Sequence, residues 1–437
     1  MKILETERDP AAEILAALTS QARGPDPEVE ATVREIIAGV RERGDKAILE
    51  LGRKFDSPDL SAIRAEPSDF DAACDSIKPE LLAAIRAAKS NIEDFHRKQL
   101  ANSWIDAREG FTYGQIVRPI EKVGFYAPGG LAPYPSTVLM TAVPGIVAGV
   151  KTLVMCCPAQ KDGNVSPAML VAAKECGVTE VFKIGGAQAI AAMAFGTDTV
   201  PKVDKIVGPG NAYVTEAKRQ LFGYVGIDQL AGPSEILVLA DDSANPVYVA
   251  ADILSQAEHG PDSRCALITT SRRLADEALK EIRRQSETAP RRQFIDESLD
   301  KFGIIVIARS IEECIDLANT FAPEHLELAL AEPWAALGRI ANAGTIMMGH
   351  STPVPLCDFA AGPNHTLPTN GTARFSSALS VDDFIKKSGV LAYSPKALRD
   401  IAPTVLELAN AEGFDAHANT IRVRLTTDDR RPTTDDR

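Results

Sequence analysis

Between residues 152 and 321 short β-branched runs alternate with helical segments across glycine turns, and this alternation constrains the fold more than any other feature. Residues 152–157 (TLVMCC) read as a strand; Ser166-Pro167 opens a helix that Gly177 stops. Residues 180–184 form the next strand, followed by GGAQ and a helix over 189–195. Residues 204–207 lead through GPGN into a helix over 213–221. A second set begins at Glu235 (EILVLA) and continues through a helix carrying Gln256, a strand at 266–270, a helix at 273–284, a strand at 304–308 and a helix at 311–321. This is βαβ logic, which predicts parallel sheets covered on both faces. We therefore expect an α/β protein of two tandem Rossmann-like α/β units, with the cleft between them as the natural ligand site.

The flanks differ. The first hundred residues read as helices, over 27–42, 45–55 and 79–99, and from Val381 the chain reads as helical again. The closing TTDDRRPTTDDR is polar, repeats TTDDR and is expected to be disordered. With 437 residues, 45% of them hydrophobic, the chain is long enough for two or three cored domains. A net charge of −13 without a basic cluster argues against nucleic acid and against an anionic membrane surface. No apolar run reaches membrane-spanning length, and MKILETERDP lacks the apolar core of a signal peptide. Seven cysteines without C-x-x-C fit a reducing, cytoplasmic setting.

Within this frame a few residues are suited to chemistry. In LSQAEHGPDS, Gln256 and His259 stand three apart at the end of a helix that Asn245-Pro246 starts and Gly260-Pro261 stops. Residues at i and i+3 share a helix face, so an amide oxygen and an imidazole nitrogen can reach one zinc ion. Asp358 lies in a Gly/Pro-bounded loop seven residues before His365, and His417 follows Asp415 near the end. Together these offer two imidazoles, a carboxylate and an amide, but spacing so long does not assemble them, and a helical Gln/His pair also suits surface or core. Glu324-His325 follows Pro323; neighbours on a strand face opposite ways, so both serve one site only from a turn. A solvated Glu beside a strand-starting His is the competing reading. GGAQ and GPGN each join a strand to a helix N-terminus, where backbone amides favour phosphate, although neither is G-x-G-x-x-G.

Nine motifs, VGFYAPGG, KIGGAQAIAA, KIVGPGNAYV, LAGPSEILV, LSQAEHGPDS, PEHLEL, DFAAGPNHTLPT, GTARFSSALSVDDF and AEGFDAHA, occur in this order, and the chain resembles the histidinol dehydrogenases over roughly residues 25–425. The resemblance implies an aldehyde-dehydrogenase-like fold and a zinc-dependent homodimer that oxidises L-histidinol to L-histidine with two NAD+. It implies Gln256, His259, Asp358 and His417 as zinc ligands, and Glu324 and His325 as the catalytic pair. Ser234 and Glu412, with His325 and the four ligands, match substrate contacts, and Tyr126, Gln188 and Asn211 match NAD+ contacts. It further implies residues 1–115 with 235–380 as the metal and catalytic unit, 116–234 as the NAD+ unit, 381–425 as a helical dimerisation tail, and 426–437 as disordered. Cys357 and Phe359 stand beside Asp358 where the family usually has Gly and Tyr, and a packed thiol is the expectation for Cys357. Two alternatives remain: a zinc- and NAD-dependent relative acting on another small polar alcohol, such as a sulfonated diol, and a non-catalytic zinc scaffold.

Overall fold

The computed structural model describes residues 1–19, 26–129 and 133–427. Fourteen strands run through them: β1 (Lys2–Glu5), β2 (Trp104–Arg108), β3 (Phe111–Pro119), β4 (Lys122–Tyr126), β5 (Thr152–Cys157), β6 (Glu180–Lys183), β7 (Lys205–Val207), β8 (Gly226–Ile227), β9 (Glu235–Ala240), β10 (Arg264–Thr269), β11 (Ile304–Ile307), β12 (His325–Ala329), β13 (Thr345–Met348) and β14 (Ile385–Tyr393). The chain divides into two compact units, residues 1–100 with 120–384, and residues 101–119 with the segment from 385 onward.

The first unit holds two sheets, both parallel as the alternation predicts. One has the order β6-β5-β4-β7-β8 and the other β1-β11-β10-β9-β12-β13. Every residue of β9, β10 and β12 is buried, as expected of strands covered on both faces. The covering helices follow suit: Gly186–Phe195 is small and apolar and buried along nearly its whole length.

The N-terminal helices do not travel together. Pro27–Arg43 packs on Gly186–Phe195 and on Ala212–Leu221, while Pro67–Ser76 and Pro79–Arg97 pack on Pro167–Glu175 and Pro135–Ala148, all around the five-stranded sheet. Only β1 and the helix Ala11–Thr19 join the six-stranded sheet, β1 pairing with β11 as its edge. The expected assignment of residues 1–115 as a block to the catalytic sheet therefore gives way, because the apolar faces of Val33, Val40, Ile48 and Phe70 are buried in the cores of the other sheet.

The second unit is an antiparallel sheet, β14-β3-β2, with helices Pro395–Ala411 and Asp415–Thr427. Residues 381–393 were expected to be helical. Instead a single turn of 3-10 helix (Val381–Phe384) leads into β14, which pairs with β3 along all nine of its residues. The expectation of disorder falls on 426–437, of which 428–437 lie outside the described residues.

Candidate active site

The helix Pro246–Ala257 begins as its sequence dictates. Asn245 caps it by accepting from Val247 N at 2.9 Å, and Pro246 occupies the first turn. It ends two residues earlier than the i, i+3 reading requires, so His259 lies just beyond the cap at Glu258. His259 N still donates to Gln256 O at 3.1 Å, and the turn continues through both residues. Gln256 is buried, and its Oε1 has no hydrogen-bond partner. The helix packs against the short helix Val354–Phe359, which carries Asp358.

Glu324 and His325 stand at a turn. The helix Ile311–Phe321 closes with Ala322 in the left-handed region, at φ 52°, and β12 starts at His325. Glu324 thus sits in the turn and His325 heads the strand, which lets both face the same place. Both are buried. Glu324 Oε2 accepts from Glu235 N at 2.7 Å and lies 3.6 Å from His325 Nδ1. His325 Nδ1 lies 3.0 Å from Glu235 O, and its Nε2 lies 3.2 Å from Asp358 Oδ1. Burial works against charge on the imidazole, but the carboxylates of Glu324 and Asp358 outweigh it and hold the ring well above its ordinary value. Burial likewise raises Asp358, and His325 overrides it, so that carboxyl lies below its ordinary value. The arrangement is a buried imidazole set between two carboxylates.

Two histidines accompany Asp358. His259 contributes to its field, and His365 Nδ1 donates to Asp358 O at 2.8 Å while His365 Nε2 faces Thr137 Oγ1 at 3.2 Å. Among the described residues no group of three or more His, Cys, Asp or Glu is arranged to hold a metal. The expected set contributes only His259 and Asp358 of those types to this unit; its other donor here is the unpartnered oxygen of Gln256. A carboxamide oxygen, an imidazole and a carboxylate are donors that zinc accepts, and a buried oxygen without a partner suits a cation ligand. The residues present fit the ion. Cys357, next to Asp358, is buried, lies 3.8 Å from both Thr345 Oγ1 and Pro363 O, and has its thiol pushed up by burial, so it is a packed thiol.

The remaining expected residues divide. Ser234 immediately precedes β9 and accepts from Arg264 N at 2.9 Å. Glu412 and His417 belong to the second unit, Glu412 capping the helix Pro395–Ala411 and His417 set at a tilt beside the Phe414 ring, both exposed. Tyr126, Gln188 and Asn211 surround the glycine turns of the five-stranded sheet. Tyr126 Oη accepts from Gly186 N at 3.1 Å, with burial pushing its hydroxyl well above the ordinary range. Gln188, the third residue of the helix Gly186–Phe195, is buried in its first turn. Asn211 Oδ1 caps the next helix, accepting from Tyr213 N and Val214 N at 3.0 and 3.1 Å. Gly208, at φ 103°, lies so close to Tyr126 that a Cβ would meet its carbonyl oxygen at 2.5 Å.

Several residues that shape these sites were not singled out from sequence. Asp228 Oδ2 accepts from Gly208 N at 2.8 Å and pairs with the buried Lys218, which also donates to Gly208 O at 3.0 Å. Asp56 Oδ2 accepts from Gly185 N at 3.1 Å, and burial raises that carboxyl. Glu235 and Arg264 head adjacent strands beneath the Glu324–His325 pair. None carries a local motif; each acts through a partner distant in sequence. His365 had a signal, its spacing from Asp358, but no assigned role.

The chain matches the family model described as histidinol dehydrogenase over residues 19–425. It is 50% identical to the histidinol dehydrogenase of Clostridium acetobutylicum over 399 residues, covering 91% of this chain and 93% of that one. It is also 50% identical to that of Caldanaerobacter subterraneus subsp. tengcongensis, covering 95% and 97%. The crystal structure of histidinol dehydrogenase from Elizabethkingia anophelis superposes with a TM-score of 0.93 at 39% identity, covering 98% of this chain and 99% of that one. With matching sequence along nearly its whole length and the same fold, the chain belongs to the histidinol dehydrogenase family.

Proposed function

We propose that this chain oxidises L-histidinol through the aldehyde to L-histidine, with two NAD+, a substrate-holding zinc ion and a homodimeric assembly. The observation that carries the reading is the buried Glu324–His325 pair, held on both backbone groups of Glu235 and set against Asp358. In the proposal Gln256, His259, Asp358 and His417 hold the zinc ion, with Ser234 and Glu412 as further substrate contacts. Bound zinc supplies Lewis-acid positions that suit the imidazole and amine of histidinol. Bound NAD+ supplies the acceptor for each of two hydrides, in a site lined by Tyr126, Gln188 and Asn211 beside the two glycine turns.

The protein's own groups handle the protons. Nδ1 of His325 donates to Glu235 O, so in the neutral ring Nε2 carries the lone pair. Asp358 would help to hold the zinc ion, and Nε2 of His325 would accept the hydroxyl proton as the carbinol carbon loses hydride. Water adds to the resulting aldehyde, and Glu324 takes the proton from that water; the hydrate loses the second hydride and becomes the carboxylate. Retaining the aldehyde in a buried site protects it from side reactions.

A cytoplasmic homodimer is part of the proposal. All seven cysteines are free, and among the described residues no helix is long and apolar enough to cross a membrane. The second unit exposes Trp104, Ile105, Leu391, Leu408 and Phe414, an apolar surface that supports burial against a second copy. The relatives described above carry the name histidinol dehydrogenase, which leaves the sulfonated-diol alternative without support.

The test is NAD+ reduction with histidinol and, in parallel, with a sulfonated diol. Two NADH per histidine formed, from histidinol alone, is the expected result. No turnover of histidinol by the zinc-loaded enzyme rules the reading out. Sedimentation is expected to show a dimer, and fully active monomers contradict that part.

A further inference from the structure

Glu235 is the first residue of β9, and both of its backbone groups are spent on the catalytic pair. Its N–H donates to Glu324 Oε2 at 2.7 Å and its carbonyl accepts from His325 Nδ1 at 3.0 Å. The position of one residue thus sets the direction of both side chains and the tautomer of the imidazole.

That residue is held in an unusual way. The Glu235 side chain is fully buried and its Oε1 lies 3.0 Å from Nη1 of Arg264, its register partner on β10. Arg264 is 5% exposed. Its Nη2 donates to Leu18 O at 2.6 Å on the helix Ala11–Thr19, and its guanidinium lies 4.9 Å over the ring of Phe321, at the end of the helix leading into Glu324. Its backbone N–H donates to Ser234 O. Four segments of chain therefore meet on one guanidinium: β9, β10, the N-terminal helix and the helix before the catalytic turn.

Stability alone does not call for this pair. Desolvating two charges costs several kcal/mol, and an apolar pair of similar volume is often equally stable or more so. What the ion pair adds is direction: the planar fork of arginine fixes a carboxylate and a carbonyl at defined angles, which a packed methyl group does not. We infer that Arg264 and Glu235 are positioning residues for the Glu324–His325 pair, the salt bridge holding the Glu235 peptide groups at the register that aims His325 Nε2 and Glu324 at the substrate. This rests on the role proposed for that pair.

The experiment measures kcat and KM for histidinol, together with Tm, for the zinc-loaded wild type, Arg264→Met, Glu235→Ala and Glu235→Gln. A displacement of about 1 Å at a reacting group lowers rate on the order of 10²-fold. Arg264→Met and Glu235→Ala are therefore expected to lose about 10- to 100-fold in kcat, with KM changed less than about threefold. Glu235→Gln keeps an acceptor for the guanidinium and is expected to recover most of what Glu235→Ala loses. Where Arg264→Met does not fold, Arg264→Lys replaces it; it keeps the charge but not the fork, and the same split is expected. A folded Arg264 variant with wild-type kcat overturns the inference, as does a Glu235→Gln enzyme no better than Glu235→Ala. An inactive wild type instead overturns the proposed function, so the two failures are distinct.

Discussion

The two parallel sheets of the first unit present their candidate functional residues at opposite edges and by different means. In the five-stranded sheet the turns after β6 and β7, Gly185-Gly186 and Gly208–Asn211, stand at the carboxyl ends of the strands, where open α/β sheets ordinarily take ligands. In the six-stranded sheet Glu235, Arg264 and His325 are the first residues of β9, β10 and β12, so the charged cluster stands at the amino edge. The helix Pro246–Ala257 runs back from the end of β9 to the start of β10, which delivers Gln256 and His259 to that same edge. One edge offers backbone amides and glycine turns, braced by the buried Lys218–Asp228 pair and by Asp56. The other gathers buried ionisable groups around Glu324 and His325, and their burial is offset by the partners they find there. Substitutions should therefore act differently at the two edges.

The largest effect is expected at the amino edge. His325→Asn should lower the rate of both half-reactions by on the order of 10²–10⁴-fold, because a proton leaves with each hydride. Glu324→Gln should slow aldehyde oxidation far more than alcohol oxidation. Comparing histidinol and histidinaldehyde as substrates checks this; equal losses on the two substrates in Glu324→Gln show that the roles are not divided.

At the carboxyl edge the loss should be of stability and cofactor affinity. Lys218→Met leaves Asp228 buried without its cation, and breaking such a pair typically costs about 3–5 kcal/mol. Denaturant unfolding should show that loss, and KM for NAD+ should rise while KM for histidinol stays near the wild-type value. A rise confined to histidinol would reverse the assignment of the edges.

A smaller change is expected in metal affinity. His259→Ala should weaken zinc binding at least tenfold, roughly the lower bound for loss of a group that holds a metal site together. Metal analysis after dialysis against a chelator reads it directly, and stoichiometric zinc with full turnover excludes His259 as a ligand.

The smallest effect concerns Glu327, two residues past His325 on β12 and hydrogen-bonded to Asp252. Burial, with the neighbouring Asp252 carboxylate, raises its carboxyl well above the ordinary 4.5. The folded state thus holds this proton more tightly than the unfolded chain, so the stabilisation is complete below pH 4.5 and is lost as pH rises through the raised value. Glu327→Gln does not titrate, and its Tm should decline less than that of the wild type across this window. Parallel pH profiles of Tm would count against the raised carboxyl.

Much of the first unit was legible in the sequence because its signals are local. A helix cap such as Asn245-Pro246, a glycine turn such as GPGN, and a buried run such as EILVLA act within a few residues and appear as written. Three of the strands that the sequence reading left out draw their stability from elsewhere. β1 is four residues held at an edge by β11; β2 is exposed along its length, and β14 carries Lys386, Lys387 and Gly389 and exists through its pairing with β3. Isolated, such segments have neither alternation nor burial to mark them.

At the site the division is the same. The residue types, their order and the turn before His325 were readable from the sequence, and the family resemblance supplied the roles. Only the tertiary structure brought Glu235 under the side chains of Glu324 and His325, closed Arg264 onto Leu18, and set His325 against Asp358. These contacts join residues 33 to 246 positions apart. A buried charge is tolerated only next to its partner, and which partner the folded chain supplies is decided by strand register and helix packing, which no short window of sequence records.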